Sequence, residues 1–333
     1  MMAEKFITLA HGGGGRAQND FLKEEILSRF RAPELAELPD GAVLPDGLVV
    51  STDSFVVTPR FFPGGDIGKL AVTGTVNDIC MAGGIPRYLT LGMILEEGLP
   101  FAELCAILDS IRDTARAAKV AIVTGDTKVV PRGAGDGVYL NTTGIGRRNP
   151  ALKLSRSRFA PGDRIVVSGG MGEHGMTILA LRHKLDAPDL KSDCQSLADA
   201  VQEVCKTAPA GVKFMRDATR GGVLGVTAEI MEGSGLGAVI DESALPVRKE
   251  VAALARMLGI DPGFAACEGR MVAVVAPDAA DDCVKALRAL PGGELAAVIG
   301  EVTAQAGRVT LRNAWGLERP LLVPAGDQLP RIC

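Results

Sequence analysis

The chain is poor in aromatic side chains: Phe, Tyr and Trp make up 4% of its 333 residues, with one Trp and two Tyr. Proteins that hold single-stranded nucleic acid stack bases on such rings, so that platform is missing. A basic excess is missing too. Lys and Arg number 36 against 40 Asp and Glu, a formal net charge of -4, which leaves no cationic surplus to displace counterions from a polyanion. Nucleic acid is therefore not expected as a partner. No run approaches the ~18 uninterrupted apolar residues of a membrane-spanning helix. The segment from Met1 to Leu9, carrying Glu4 and Lys5, lacks the apolar stretch of a secretion signal. A cytoplasmic location without membrane attachment is the expectation. The seven cysteines contain no C-x-x-C pair. That odd number and spacing suit reduced thiols better than a disulfide framework or a zinc site.

What is abundant is glycine, 41 residues, beside 19 prolines and a 47% hydrophobic content. At ~150 residues per domain the length suits two sizeable cores. Leu22, Ile26 and Phe30 mark a first helix over 19–31, and residues 48–52 read as a strand delivering Asp53 at its end. Residues 67–81 contain too many small side chains for an ordinary surface helix, which predicts close packing. Residues 88–95 read as a buried strand. Phe101, Leu104, Cys105, Leu108, Ile111 and Ala115 mark one face of a helix, and residues 120–124 form a β-rich run ending at Gly125-Asp126. This alternation argues for mixed α and β structure with sites at strand ends. A strand over 137–146 precedes the basic stretch 147–158, the expected domain boundary. Beyond it, strands are expected at 164–168, 271–276, 294–302 and 308–312, helices at 173–184, 197–206, 223–231 and 251–258, and an irregular tail after Trp315.

Several features bear on chemistry. His11 and Gly12, Gly13, Gly14 and Gly15 precede a helix, where backbone N–H groups can approach an anion, although a plain turn with a capping histidine fits as well. The Gly64 to Leu70 segment only imitates a P-loop, since Pro63 takes the place of its first glycine and Leu70 that of the hydroxyl. Asp40, Asp53, Asp78, Asp126 and Asp217 stand beside turns or strand ends. Hard oxygen ligands so placed suit Mg²⁺ shared with phosphates, whereas each aspartate alone is as readily a cap or turn former. Lys128 lies two positions after Asp126, and Glu268 just before an apolar strand where it could project into a cleft; as isolated residues both read as surface charges. Six cysteines fall within or beside apolar elements and read as packing residues. Cys333 ends the chain on a proline-punctuated tail, where a thiol can reach outward as a nucleophile or carrier, although by itself it reads more simply as an incidental frayed terminus.

Certain strings carry a resemblance: LAHGGGGR from Leu9, STDSFVVTPRFFPGGDIGKLAVTGTVNDI from Ser51, GMILEEGLP from Gly92, IVTGDTKVVPRG from Ile122, LNTTGIG from Leu140, RDATRGG from Arg216, ACEGR from Ala266, VIGEV from Val298 and the terminal QLPRIC. In order and over essentially the whole chain, they resemble the HypE family of hydrogenase maturation factors. That family lies within the superfamily of ATP-using enzymes that includes aminoimidazole ribonucleotide synthetase (PurM), selenophosphate synthetase and thiamine-monophosphate kinase. Ala218 stands where the family usually has proline, and Gly170 to Glu173 reads GMGE where a sequence such as TIGD is more familiar.

The resemblance implies α/β plus α+β architecture in a two-domain PurM-like fold. Its parts would be a glycine-rich loop and helix over 1–40, an α/β ATP-binding and dimerisation domain over 41–148, an α+β domain over 149–318 and a mobile tail over 319–333. The N-terminal strands would form a β-barrel across a homodimer. It further implies that a carbamoyltransferase, HypF, loads Cys333, that the enzyme dehydrates the carbamoyl group with ATP to a thiocyanate, and that the cyano group passes to iron on the HypC–HypD complex. Glu268 becomes the candidate base and Lys128 a stabiliser of developing charge. Asp53, Asp78, Asp126 and Asp217, with Asp40 in reserve, become the Mg²⁺ set. His11, Gly12 to Gly15, Asp66, Lys69, Asn77, Asn141 and Thr142 become nucleotide contacts. Two alternatives remain: a related enzyme that phosphorylates a small free substrate, and a non-catalytic thiol carrier. The absence of any Cys before Cys80 weighs against selenophosphate synthesis, and a pure carrier would need no magnesium-nucleotide site.

Overall fold

The computed structural model describes residues 6–12, 15–30, 35 and 39–324, together with Cys333. Gly13, Gly14 and residues 325–332 of the tail lie outside the described residues. Helix α1 (Gly15–Phe21) passes through a π-helical stretch, Leu22–Leu27, into the short α2 (Ser28–Phe30). Phe30, one of the residues that mark this helix, is 68% exposed.

The first half is built on strands β1 (Ala42–Val43), β2 (Leu48–Phe55), the small pair β3 (Phe61–Phe62) and β4 (Gly65–Asp66), then α3 (Ile67–Met81), β5 (Gly84–Glu96), α4 (Phe101–Ala117), β6 (Ala121–Val130) and β7 (Val138–Arg148). Five of these strands form one sheet in the order β1-β2-β7-β5-β6. Helix α3 covers one face of it. Thirteen of its 15 residues are buried, as expected of a helix without a polar stripe. The small residues predicted to mean close packing do so on both sides of the interface. A Cβ on Gly144 would come within 2.8 Å of Thr75 Cγ2, and one on Gly146 within 2.7 Å of Ile79 Cγ2. The opposite face of the sheet is open, and β6 is an edge strand nearly all of whose residues are exposed.

Helix α4 departs from its expected face. Ile107, Ile111 and Ala115 are buried, whereas Phe101 is 83% exposed and Cys105 is exposed. The helix turns its Ile107-Ile111-Ala115 row to the core, so the Phe101-Cys105 row rotates outward. Cys105 is thus not a packing residue. The other five internal cysteines are buried.

The second half contains β8 (Arg164–Val167), α5 (Glu173–Arg182), α6 (Ala198–Thr207), β9 (Val212–Asp217), α7 (Gly222–Glu232), β10 (Gly237–Asp241), α8 (Lys249–Leu258), β11 (Met271–Val275), α9 (Ala280–Arg288), β12 (Ala297–Thr303), β13 (Val309–Arg312) and β14 (Glu318–Pro320). Its seven strands run in the order β14-β13-β10-β12-β8-β11-β9. One hydrophobic cluster is continuous between the halves, joining Leu70, Val76 and Ile107 of the first to Ile178, Val201 and Met271 of the second. A second fills the other face of the large sheet beneath α7. Mixed α/β architecture in two parts agrees with the sequence. Strands β9 and β10 and helix α9 were not anticipated, and β14 falls within the tail that was expected to be irregular. No helix among the described residues is long and apolar enough to cross a membrane.

Candidate active site

Where α3, β2 and the β9–α7 turn meet, a cleft of about 250 Å³ is lined by Asp40, Asp53, Asp78, Asp217, Glu268 and Cys333. The fold brings each in from a separate element. Asp53 lies inside β2, which runs two residues past it to Phe55, and shares the sheet face that packs on α3. Asp78 sits in the last turn of α3 and accepts a 2.6 Å hydrogen bond from Ser51 Oγ. The same hydroxyl also lies 2.8 Å from the Asp40 carbonyl oxygen. Asp217 ends β9, and Glu268 precedes β11.

Burial and mutual repulsion raise these acids. Asp78 is held well above the usual carboxylate range by burial and by the carboxylates of Asp217, Asp40 and Asp53. Burial raises Asp40 despite Arg216, whose Nε lies 3.2 Å from Asp40 Oδ1. Burial likewise raises Asp53 against the pull of Arg220, 4.0 Å away. Glu268 is driven well up by burial, then by Asp217, Asp193 and Asp53, with Arg220 opposing. Its Oε1 is buried without a hydrogen-bond partner among the described residues. Cys333 is docked in the same cleft: an oxygen of its terminal carboxylate accepts a 3.0 Å hydrogen bond from Val56 N–H. Burial, then Glu268, pushes its thiol up to about 12, and Arg220 works against them.

Among the described residues no three His, Cys, Asp or Glu side chains converge tightly enough to cage a metal ion by themselves. Asp40, Asp53, Asp78 and Asp217 instead line one wall each of an open cleft. That donor set fits Mg²⁺ as it is held with nucleotides, through one or two carboxylates plus phosphate oxygens and water.

The remaining candidates lie elsewhere. Asp126 and Lys128 pair with each other at 2.7 Å on β6, with side chains 70% and 68% exposed. In register, Asp126 is opposite Gly92 and Gly92 opposite Asn141, which puts both on the open face, across the sheet from Asp53. Three strand spacings also intervene, or ~14 Å. Asn141 is on the open face too, where its Nδ2 donates to the Asp53 carbonyl oxygen at 2.9 Å. Thr142 is buried under α3, its Oγ1 donating to Ala71 O at 2.9 Å. Asp66 caps α3, accepting from the N–H groups of Gly68 and Lys69 and from Ser110 Oγ. Lys69 donates to Gly64 O. Asn77 faces the second half of the chain rather than the cleft, bonding Gln195 O, Glu268 O and Leu197 N–H. His11 takes the capping alternative: Nδ1 is 2.9 Å from Thr8 N. Gly12 terminates the 3₁₀ turn Leu9–His11, and Gly15 opens α1.

Arg216 and Arg220 had not been singled out, although both flank Asp217 in the RDATRGG string. The signal available was electrostatic, since several buried carboxylates require nearby cations.

One consequence is a pH-dependent stability. Burial and the Asp40 carboxylate push Asp217 up to about 8, far above the ~3.9 of an unfolded aspartate. Between those values the folded chain keeps a proton that the unfolded chain has released. Asp217 therefore makes stability fall as pH rises through that window, with no further loss above it. In protein free of nucleotide and metal, Asp217→Asn is expected to flatten the slope and to stabilise the fold at pH 8. The gain is on the order of 1 kcal/mol, or ~2–4 °C in Tm. Urea unfolding at pH 5, 7 and 8 checks this, and an unaltered slope would refute it.

Comparison with known proteins bears directly on this cleft. Residues 39–148 match the AIR synthase related protein N-terminal domain, and residues 160–312 the corresponding C-terminal domain. The carbamoyl dehydratase HypE of Rhodobacter capsulatus is 45% identical over 339 residues, covering 100% of this chain and 99% of that protein. The chain belongs to the HypE family. Among solved structures, HypE in complex with ATP is 44% identical, with a TM-score of 0.83 over 98% of this chain and 99% of that one. HypE in its complex with HypF is 38% identical, with a TM-score of 0.88 over 91% and 99%. The HypE resemblance carried by the strings ending in QLPRIC thus holds across the full length, and the PurM-like fold with it.

Proposed function

We propose that this chain is an ATP-dependent carbamoyl dehydratase of hydrogenase maturation, converting an S-carbamoyl group on its own Cys333 into a thiocyanate. The observation that carries this reading is the docking of the C-terminal thiol in the cleft that also holds Glu268 and the four aspartates. An amide oxygen is a very poor leaving group. Attack of the carbamoyl oxygen on the γ-phosphorus of ATP, as Glu268 takes a proton from the carbamoyl nitrogen, makes that oxygen part of a phosphate ester. Departure of phosphate with loss of the second nitrogen-bound proton leaves S–C≡N, ADP and inorganic phosphate, which retains the carbamoyl oxygen. A carboxylate raised by burial and by Asp217 is a stronger base than an exposed one. Bound Mg²⁺ would neutralise phosphate charge and orient the transferred group, with Asp53, Asp78 and Asp217 as ligands and Asp40 behind them.

Lys128 and Asp126 stand on the open face of the sheet, so their part in the reaction belongs to a homodimer in which that face meets a second subunit. The edge position of β6 and its exposed Val123 and Val129 support such pairing. HypF as carbamoyl donor, HypC–HypD as cyano acceptor and a cytoplasmic setting complete the reading. The outward excursion of the tail follows from chemistry: a thiol held neutral in the cleft reacts with a donor only after leaving it.

Intact-mass spectrometry tests the proposal. Protein carbamoylated on Cys333 should lose one water, ~18 Da, on addition of Mg-ATP, with about one ATP consumed per group. An adduct that persists unchanged through ATP turnover would exclude a dehydratase and favour the carrier.

A further inference from the structure

Among the described residues, Oε1 of Glu268 has no hydrogen-bond partner. Its place is set through its own main chain, and two buried side chains grip that main chain from opposite sides. Asp193 Oδ1 accepts the Glu268 N–H at 3.1 Å. Asn77 Nδ2, from α3 in the first half of the chain, lies 3.3 Å from the Glu268 carbonyl oxygen.

Asn77 has further partners as well. The second Asn77 N–H bonds Gln195 O at 3.1 Å, and Asn77 Oδ1 accepts from Leu197 N–H at 2.7 Å. No donor of Asn77 is left to meet a phosphate. Asp193 has its side chain fully out of solvent, with Arg270 Nε 3.6 Å from Oδ2 as counter-charge. Arg270 is anchored in turn by Glu173 at 2.6 Å and by Gly170 O at 3.1 Å. The two segments touch without a gap: a Cβ on Gly269 would sit 2.1 Å from Asp193 O. The flanks of Glu268 are tied as well, since Cys267 N–H donates to Ala218 O and Ala218 N–H to Arg270 O. A proline at 218 would lack that second donor.

We propose that Asn77 and Asp193 are positioning residues for Glu268, gripping its carbonyl and its amide so that the carboxylate meets the carbamoyl nitrogen. The inference rests on Glu268 as the base. Because Asn77 neighbours Asp78 on α3, the grip also ties the base to the carboxylate wall across the two halves. One bond from each of these two buried side chains goes to the main chain of Glu268, the residue whose angle matters to proton transfer, while Asp193 Oδ2 has no hydrogen-bond partner among the described residues.

The test uses the full chain carbamoylated on Cys333, with Mg-ATP, following water loss by intact mass in single turnovers over a range of ATP concentrations. Asp193→Ala and Asn77→Ser should lower the maximal rate ~10–100-fold, the penalty for a group displaced by about 1 Å, while the ATP concentration at half-maximal rate changes less than about 2-fold. Asp193→Asn retains an oxygen for the Glu268 N–H and should recover most of the rate. Wild-type rates in Asp193→Ala and Asn77→Ser, alongside an inactive Glu268→Ala, would overturn the positioning role and leave the base intact. A loss seen equally in the maximal rate and in ATP affinity, or one that Asp193→Asn fails to relieve, would make both residues structural only. Active Glu268→Ala would instead remove the base, and the positioning role with it.

Discussion

Glu268→Ala protein loaded on Cys333 is expected to keep its carbamoyl group in the presence of Mg-ATP, with thiocyanate formation slowed ~10²–10⁴-fold, the range for loss of a positioned general base. The effect should fall on the chemical step. Glu268 is buried in the cleft and its Oε1 has no hydrogen-bond partner among the described residues, so removing the carboxylate breaks no hydrogen bond at that oxygen. It also relieves repulsion, because Asp217, Asp193 and Asp53 all oppose its ionisation. The variant should fold at least as stably as the parent. A Glu268→Ala protein that still loses ~18 Da at the parental rate would remove Glu268 as the base.

Cys333→Ala should be inert at an earlier stage, gaining none of the ~43 Da of a carbamoyl group when offered a carbamoyl donor system. The remaining thiols cannot substitute for it. Burial lifts Cys80 and Cys194 to about 12, and Cys205 and Cys283 to about 11. Cys267 is driven up by burial as well. Cys105 is exposed, but on α4, part of another wall of the molecule. Unchanged thermal unfolding of Cys333→Ala would accompany the loss, since the residue closes the cleft from a chain end. Appearance of a carbamoyl adduct on this variant would relocate the carrier.

Much of the fold could be read from residue patterns because small residues and β-branched runs report packing directly. The 67–81 segment was expected to pack closely and is a buried helix against a glycine-bearing sheet. Strand β9 was not expected because Lys213 and Arg216 interrupt its apolar character. Each cation is explained only by its tertiary partner, Lys213 by Asp163 at 2.6 Å and Arg216 by Asp40 at 3.2 Å. The strand that delivers Asp53 was expected to stop before it, since Asp and Ser read as turn formers. In fact Asp53 alternates correctly in β2 with Val49, Ser51 and Phe55 toward α3.

The candidate site divides in the same way. Asp40, Asp53, Asp78, Asp217, Glu268 and Cys333 meet in one cleft, whereas Asp126 and Lys128 lie behind the sheet in a single chain. Short motifs cannot report that division, because β6 and β2 reach the same level of one sheet while their side chains point to opposite faces. Asp66, Lys69, Asn77 and Thr142 hold the framework in this structure through caps and tethers. Asp193 gave no warning at all: its importance lies in a main-chain bond to a residue 75 positions away.

The glycines beneath α3 have a consequence for adaptability. Because a Cβ on Gly144 or Gly146 would collide with Thr75 Cγ2 or Ile79 Cγ2, the helix packs these side chains directly onto the sheet backbone. The backbone separation between Asp53 and Asp78 is set by this close packing, which leaves little room for adjustment. A descendant of this scaffold that needed a roomier cleft would find the helix–sheet wall closed to adjustment. Its freedom lies along the rim, in the turns that carry Asp40 and Arg220, where a changed loop length alters the opening without disturbing the wall.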